Sequence, residues 1–245
     1  MLPVDAARHL KVLRPKDGEQ IELFDGKGKW RVYEFCASLL GGCASPLIAT
    51  SQTSQTSRTS RTLTLFACIT KGSRWDWTVE KATELGVARI VPVISDRTIV
   101  RIPRAERAAK RERWMRIAED AARQSDAKWL PEICEAVDFK DALPLVRETT
   151  CFIGALTNPP SAPLAEAVLG LRGREVPAPQ EAVLGPGRPA PAGLAVFIGP
   201  EGDFTPEELA ALMEVATPTS FGPTVLRAET AAIFAVSVLA ATLSA

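Results

Sequence analysis

Two turns in the C-terminal third carry the residues whose types and spacing suit chemistry. They are Ile198-Gly199-Pro200-Glu201-Gly202-Asp203-Phe204 and Phe221-Gly222-Pro223-Thr224-Val225-Leu226-Arg227-Ala228-Glu229-Thr230. In the first, glycines flank a Pro-Glu pair, so the backbone can approach a ligand and expose its N–H and C=O groups. In the second, Arg227 and Glu229 stand together where a helix begins. One offers a permanently charged guanidinium fork, the other a carboxylate able to take a proton. Local spacing leaves plainer readings open: a tight β–α turn, and an acidic residue that favours a helix N-terminus through the dipole. The pattern GxxxxGK[ST] is absent, and so is GxGxxG after a strand, so nucleotide hydrolysis and dinucleotide binding lack support.

Other chemistries are narrowed by what the chain lacks. His9 is the only histidine, which excludes a triad or metal site built on several histidines. The five cysteines, Cys36, Cys43, Cys68, Cys134 and Cys151, are odd in number and contain no CxxC pair. Neither a disulfide framework nor a structural zinc site is expected, and a reducing cytoplasm is. The stretch MLPVDAARHLKVLR has no continuous apolar run of the signal-peptide kind. The apolar tail Ala231–Ala245 is shorter than the roughly 20 residues that span a bilayer, and is expected to be a buried helix.

Strand–helix alternation must position the two turns. Thr62–Ile69, Ala88–Ile94, Cys151–Leu156, Leu194–Ile198 and Thr219–Phe221 read as strands. Between them Trp75–Leu85 reads as a helix stopped by Gly86, and Arg104–Ser125 as a charged helix with Met115, Ala118 and Ala122 on one face. Thr205-Pro206-Glu207-Glu208 has the capping residue, the first-turn proline and the acidic partner of a helix start. A short helix near Leu164–Leu171 and a final helix over Glu229–Ser244 complete the set. Strands separated by helices predict a parallel sheet, whose ligands bind beyond the carboxyl ends of the strands. That places attention on the turns after Leu156, Ile198 and Phe221.

The N-terminal part reads differently. Gln20–Phe24 and Lys29–Phe35 flank Asp25-Gly26-Lys27-Gly28, a hairpin signal. The polar low-complexity run SQTSQTSRTSRT within 41–62 predicts a flexible linker. The expected division is a β-domain over 1–61, with linker 41–61, and an α/β domain over 62–245. Net charge is zero, but residues 1–150 carry 25 basic against 20 acidic groups and residues 151–245 carry 4 against 9. A polyanion would therefore meet the front part.

The motifs in order resemble a known family. IGPEGDF followed by GPTVLRAETAA is similar to the GPEGG and LGxxILRxETA motifs of the RsmE family of RNA methyltransferases. KGSRWDWTVEKATELGVARIVPV, RERWMRIAEDAARQS and HLKVLRPKDGEQIELFDGKG resemble its upstream segments. The resemblance implies a small PUA-like β-barrel that binds RNA, followed by a SPOUT-type parallel sheet with a C-terminal trefoil knot. It implies S-adenosylmethionine (S-adenosyl-L-methionine) held by Leu156, Ile198, Gly199, Pro200, Glu201, Gly202, Phe221, Gly222, Leu226, Arg227 and Thr230. It also implies a homodimer acting on 16S rRNA of the small ribosomal subunit, methylating N3 of a uridine, with no metal and no membrane. Arg227 is the expected stabiliser of the uracil anion, and Glu229 the expected base or the group that orients Arg227. Lys11 and Arg14 in the β-domain, with Lys71, Lys81 and Arg97 near the ligand end of the sheet, are the expected RNA contacts. Two positions depart from the pattern: Asp203 replaces the second glycine of GPEGG, and Thr224 replaces a common basic residue. The alternatives are another SPOUT methyltransferase, acting on a ribose 2′-hydroxyl or on transfer RNA, and a non-catalytic RNA-binding homologue.

Overall fold

The computed structural model describes residues 10, 14–36, 47–55, 62–146, 149–154, 161–170 and 193–243. The chain divides into two compact units, Met1–Arg58 and Thr59–Ala245.

The first unit is a four-stranded antiparallel sheet centred on its second strand. Strands β1 (Gln20–Phe24) and β2 (Lys29–Phe35) pair in register from Gln20↔Glu34 to Phe24↔Trp30. The hairpin turn closes because Gly26 and Gly28 take φ of 71° and 87°, conformations that cost glycine nothing. The Asp25 carboxylate accepts from the N–H groups of Lys27 and Lys29 at 2.7 and 3.0 Å. Two further strands, β3 (Leu47–Ala49) and β4 (Ser54–Gln55), pair antiparallel with β2. These fall inside the run expected to be a linker, and the expectation is corrected there. Backbone hydrogen bonds to β2 do not depend on side-chain polarity, and Leu47 joins Leu10 and Phe35 in a small buried cluster.

The second unit is a seven-stranded parallel sheet. Its strands are β5 (Thr62–Cys68), β6 (Arg89–Ile94), β7 (Glu132–Ile133), β8 (Val137–Asp138), β9 (Thr150–Gly154), β10 (Gly193–Ile198) and β11 (Thr217–Thr219). The order is β11-β9-β10-β5-β6-β7, with β8 also on β6. Strands β5, β6 and β10 are buried along their whole length, as parallel strands covered on both faces must be. Alternation sorts their side chains. Leu63, Leu65, Leu194, Val196 and Ile198 face one core, and Phe66, Cys68, Ala195 and Phe197 face the other. The first core is covered by α1 (Ser73–Glu84), α2 (Arg104–Ser125), α4 (Leu164–Leu169) and α6 (Ala228–Leu243). The second is covered by α3 (Phe139–Val146) and α5 (Pro206–Met213).

Several expectations shift in detail. The buried stripe of α2 is Trp114, Ala118, Ala121 and Ala122, and Met115 is exposed, because the indole of Trp114 packs edge-on against Trp75 at 5.6 Å. The strand expected over Thr219–Phe221 ends at Thr219, which leaves Phe221 in the following turn. The strand expected to reach Leu156 ends at Gly154, and Leu156 lies outside the described residues. Strands β7 and β8 and helix α3, with Pro144 inside it, were not anticipated, since two-residue strands carry no periodic signal. The final helix is apolar but not wholly buried: Phe234 is 39% exposed. The segments 155–160 and 171–192, through which a knot would be traced, lie outside the described residues.

Candidate functional site

Helix α5 begins as the sequence dictates. Thr205 Oγ1 accepts from the N–H of Glu208 at 3.2 Å, and the Glu208 carboxylate accepts from the N–H of Thr205 at 3.0 Å. Glu208 also does something local sequence does not reveal. Its other oxygen accepts from the N–H of Asp96 at 2.8 Å, tying the turn after β6 to the turn after β10. Arg97 reinforces the same tie, its guanidinium donating to the carbonyls of Gly202 and Phe204 at 2.9 and 3.3 Å. The β10–α5 turn is thus held from outside, while Gly199 lets the Phe204 ring pack against it. A Cβ at Gly199 would lie 3.0 Å from that ring.

The turn after β11 is held by a second set of bonds. The Thr219 hydroxyl donates to the carbonyl of Ile153 at 3.1 Å. Ser220 exchanges backbone bonds with the segment before α4, donating to Ala162 and accepting from Leu164 at 2.9 and 3.0 Å. Phe221 packs so closely over Gly154 that a Cβ there would come within 2.5 Å of its ring. Helix α6 starts as Ala231 N–H donates to the carbonyl of Arg227 at 2.8 Å.

These turns converge. The end of β9 and the turns after β10 and β11 enclose a cleft of about 390 Å³, within the size range of small-molecule sites. Of the residues expected at a cofactor, Gly199, Pro200, Glu201, Phe221, Gly222, Leu226 and Arg227 line it. Ile198 is buried in the sheet and Gly202 is engaged by Arg97, and neither lines the cleft, nor does Thr230. Arg227 is exposed on the lining. Glu229 does not line it, yet its Oε2 is buried without a hydrogen-bond partner. No hydrogen bond or ion pair joins Arg227 to Glu229 among the described residues. Sequence reasoning missed Gly154, Thr219 and Ser220 as lining residues, although a glycine closing a parallel strand was a usable signal for the first.

The charged residues expected to meet RNA are scattered. Lys11 lies outside the described residues. Arg14 is exposed, with φ of 48°. Lys71 is exposed in the turn after β5. Arg97 spends one guanidinium nitrogen on the β10–α5 turn. Lys81 is not at the ligand end, a correction. Helix α1 runs back from the carboxyl end of β5, so its last turn lies near the strand's start, where Ala88 N–H donates to Leu63 O at 2.8 Å. There Lys81 donates to the carboxylates of Glu80 and Glu84 at 2.7 and 2.8 Å, and these hydrogen bonds raise its pKa.

Asp203 is accounted for by conformation. Its φ of 59° lies in the left-handed region, where glycine is at ease and Asp is among the few tolerated alternatives. Its Oδ1 accepts from the N–H of Phe204 at 2.8 Å, which helps fix that shape. Asp203→Gly is expected to leave thermal stability nearly unchanged, whereas Asp203→Val should cost about 1–2 kcal/mol in urea unfolding. Equal stability of the two variants would show that the turn is not strained. Among the described residues no cysteine lines the cleft. Burial pushes the Cys68 thiol up to about 11 and the Cys151 thiol higher still, so neither is a thiolate at neutral pH.

A parallel α/β domain with a cleft at the carboxyl ends of three strands, joined to a small β-domain, is the class that fold and site define. The pattern of the RNA methyltransferase domain family matches residues 57–240, and that of an RNA methyltransferase PUA domain matches residues 2–35. The chain belongs to the RNA methyltransferase family. It is 28% identical over 172 residues to the ribosomal RNA small subunit methyltransferase E of Bacillus subtilis, covering 70% of this chain and 62% of that protein. It is also 28% identical over 223 residues to the protein of that name from Synechocystis, covering 90% of this chain and 65% of that one. The chain thus spans just under two thirds of the length of these two relatives. Among solved structures, ribosomal RNA small subunit methyltransferase E of Neisseria gonorrhoeae bound to S-adenosyl methionine superposes with a TM-score of 0.73. Identity is 27%, covering 96% of this chain and 88% of that one. A Legionella pneumophila protein with bound cofactor SAM gives 0.76 at 29% identity, covering 98% and 90%.

Proposed function

We propose that the chain transfers a methyl group from S-adenosylmethionine to N3 of a uridine in 16S rRNA of the small ribosomal subunit. The observation that carries this reading is the convergence of the β9 end, the β10–α5 turn and the β11–α6 turn on one cleft, in a chain whose relatives carry that name. The lining fits the cofactor. Gly199, Gly222 and Gly154 leave backbone groups accessible, Phe221 and Leu226 give apolar walls, and Asp203 supplies negative charge for a cation, the Glu201 carboxylate being shared with Arg74 at 3.3 Å. When bound, the cofactor supplies an electrophilic methyl on a sulfonium, with a neutral thioether as leaving group.

The chain's own residues then hold the base and manage its proton. Uracil N3–H is protonated at neutral pH, and its loss leaves negative charge on the two carbonyl oxygens. Arg227, exposed on the lining, directs its guanidinium toward that charge. Alignment of the reacting atoms contributes much of the acceleration, up to about 7–11 kcal/mol in favourable systems. Glu229, at the first turn of α6 with a buried unpartnered oxygen, receives the proton or orients Arg227. Glu229→Gln is expected to lower kcat by about 10²-fold without loss of cofactor affinity. Undiminished activity would remove Glu229 from the chemistry.

The PUA-like domain, with Lys11 and Arg14, contacts the RNA, and two copies of the chain pair into a homodimer. A cytoplasmic setting fits Cys36, Cys68, Cys134 and Cys151, all free thiols. Among the described residues no helix is long and apolar enough to cross a membrane. Incubating the chain with small-subunit RNA and the cofactor, then identifying the nucleoside by mass spectrometry, tests the reading. It requires 3-methyluridine; a 2′-O-methyl product, or none, refutes it.

A further inference from the structure

A second cleft, of about 300 Å³, lies beyond the carboxyl end of β5, between the start of α1 and the first half of α2. It shares no lining residue with the first. Its lining includes Thr70 and Trp75, which are 3% and 2% exposed. The Thr70 hydroxyl and the Trp75 indole N–H are both buried without a hydrogen-bond partner. A buried polar group left unpaired is costly, so two on residues of one cleft wall point to a ligand that pairs them.

The remaining lining says what that ligand is. Gly72 precedes the first residue of α1; its φ is 71° and it gives no side-chain cap, so the first-turn N–H groups of the 12-residue helix are left to an outside acceptor. The space beside Gly72 is open, with nothing within 4 Å of where a Cβ would sit. Lys110 and Arg113, three apart on α2, bring two cations. Lys110 has no ion pair among the described residues. Arg113 is paired with Asp76 at 2.5 Å, which also occupies the one carboxylate of the lining. An indole N–H, helix amides, an ammonium and a guanidinium are all donors, and a hydroxyl can donate. A donor-rich, acceptor-poor cleft at a helix N-terminus selects an anion with several oxygens.

We propose that this cleft binds a phosphodiester group of the RNA strand that carries the target uridine. The assignment rests on the RNA methyltransferase reading above and adds to it a contact on the sheet itself. Ile69, Val100 and Ile102 give the apolar wall that the attached sugar and base would cover. The strand-end position puts this cleft on the same edge of the sheet as the cofactor cleft. A phosphate held here fixes the strand without reading its sequence.

The indole N–H signals of the tryptophans, followed by nitrogen-15 NMR, report on the cleft, with Trp75 assigned through Trp75→Phe. A uridine-containing RNA oligonucleotide is expected to shift the Trp75 signal. Lys110→Glu is expected to weaken RNA binding about tenfold and to lower the salt slope by about one, with calorimetric affinity for S-adenosylmethionine unchanged. If Trp75→Phe does not fold, Lys110→Glu, on the surface of α2, carries the test alone. A wild type that methylates RNA while the Trp75 signal stays still, or a Lys110→Glu variant with wild-type affinity and salt slope, overturns the cleft assignment and leaves the proposed function standing. A shift with millimolar inorganic phosphate but none with RNA identifies a free-phosphate site and overturns the RNA assignment. A wild type that neither binds nor methylates RNA overturns both.

Discussion

Arg227→Met is expected to reduce methyl transfer by about 10²–10³-fold while the chain still folds, the range seen when one well-placed donor to a developing anion is removed. Arg227 is exposed on the cleft lining and caps no core, so its loss leaves packing intact. The substitution keeps a long apolar stem and deletes the fork. Arg227→Lys should recover little, because an ammonium is a point charge that cannot meet two oxygens in one plane. The split between parameters separates roles: an anion stabiliser changes kcat with cofactor affinity held, whereas a cofactor contact changes that affinity first. Steady-state kinetics with calorimetry on the same samples reads both. A kcat within twofold of wild type would place the stabilising group elsewhere.

Phe197→Ala is expected to cost about 3–5 kcal/mol in urea unfolding, the range for truncating a fully buried aromatic ring. Phe197 is wholly buried on β10, stacked on Phe66 at 5.3 Å with the planes 7° apart. It also meets Phe139 and Phe204 edge-on at 6.0 and 5.8 Å. Phe204 is the ring against which Gly199 packs, so the cavity opens directly beneath the β10–α5 turn. Cofactor affinity should therefore fall as well, and more steeply than in Phe66→Ala, whose ring lies one strand further from the cleft. Equal losses in the two variants would show that the turn does not depend on the aromatic cluster.

The parts of this architecture legible in the sequence are those fixed by neighbours. Asp25-Gly26 announced the hairpin because positive φ has few tenants, and Thr205 with Glu208 announced α5 because a capping box closes within four residues. The fully apolar β10 and the two turns that line the first cleft could be placed for the same reason. What escaped depends on contacts far apart in the chain. Glu208 looked like a capping residue only, since Asp96 is 112 residues away. β4 is hidden because backbone pairing draws it from polar sequence, and β3 because Leu47-Ile48-Ala49 is too short to show alternation. Met115 was assigned to the buried face by spacing that did not weigh Trp114, whose ring takes the space. The second cleft was invisible because nothing in Thr70 or Trp75 as residues reveals that their polar atoms lack partners.

Titration of S-adenosylmethionine into the full chain by calorimetry tests most directly whether the three turns form a cofactor cradle. Saturable binding is expected in the wild type, weakened about tenfold or more in Leu226→Lys, which sets a cation in the cleft that a cationic cofactor would enter. No heat at millimolar cofactor, or binding that Leu226→Lys leaves untouched, would contradict the account.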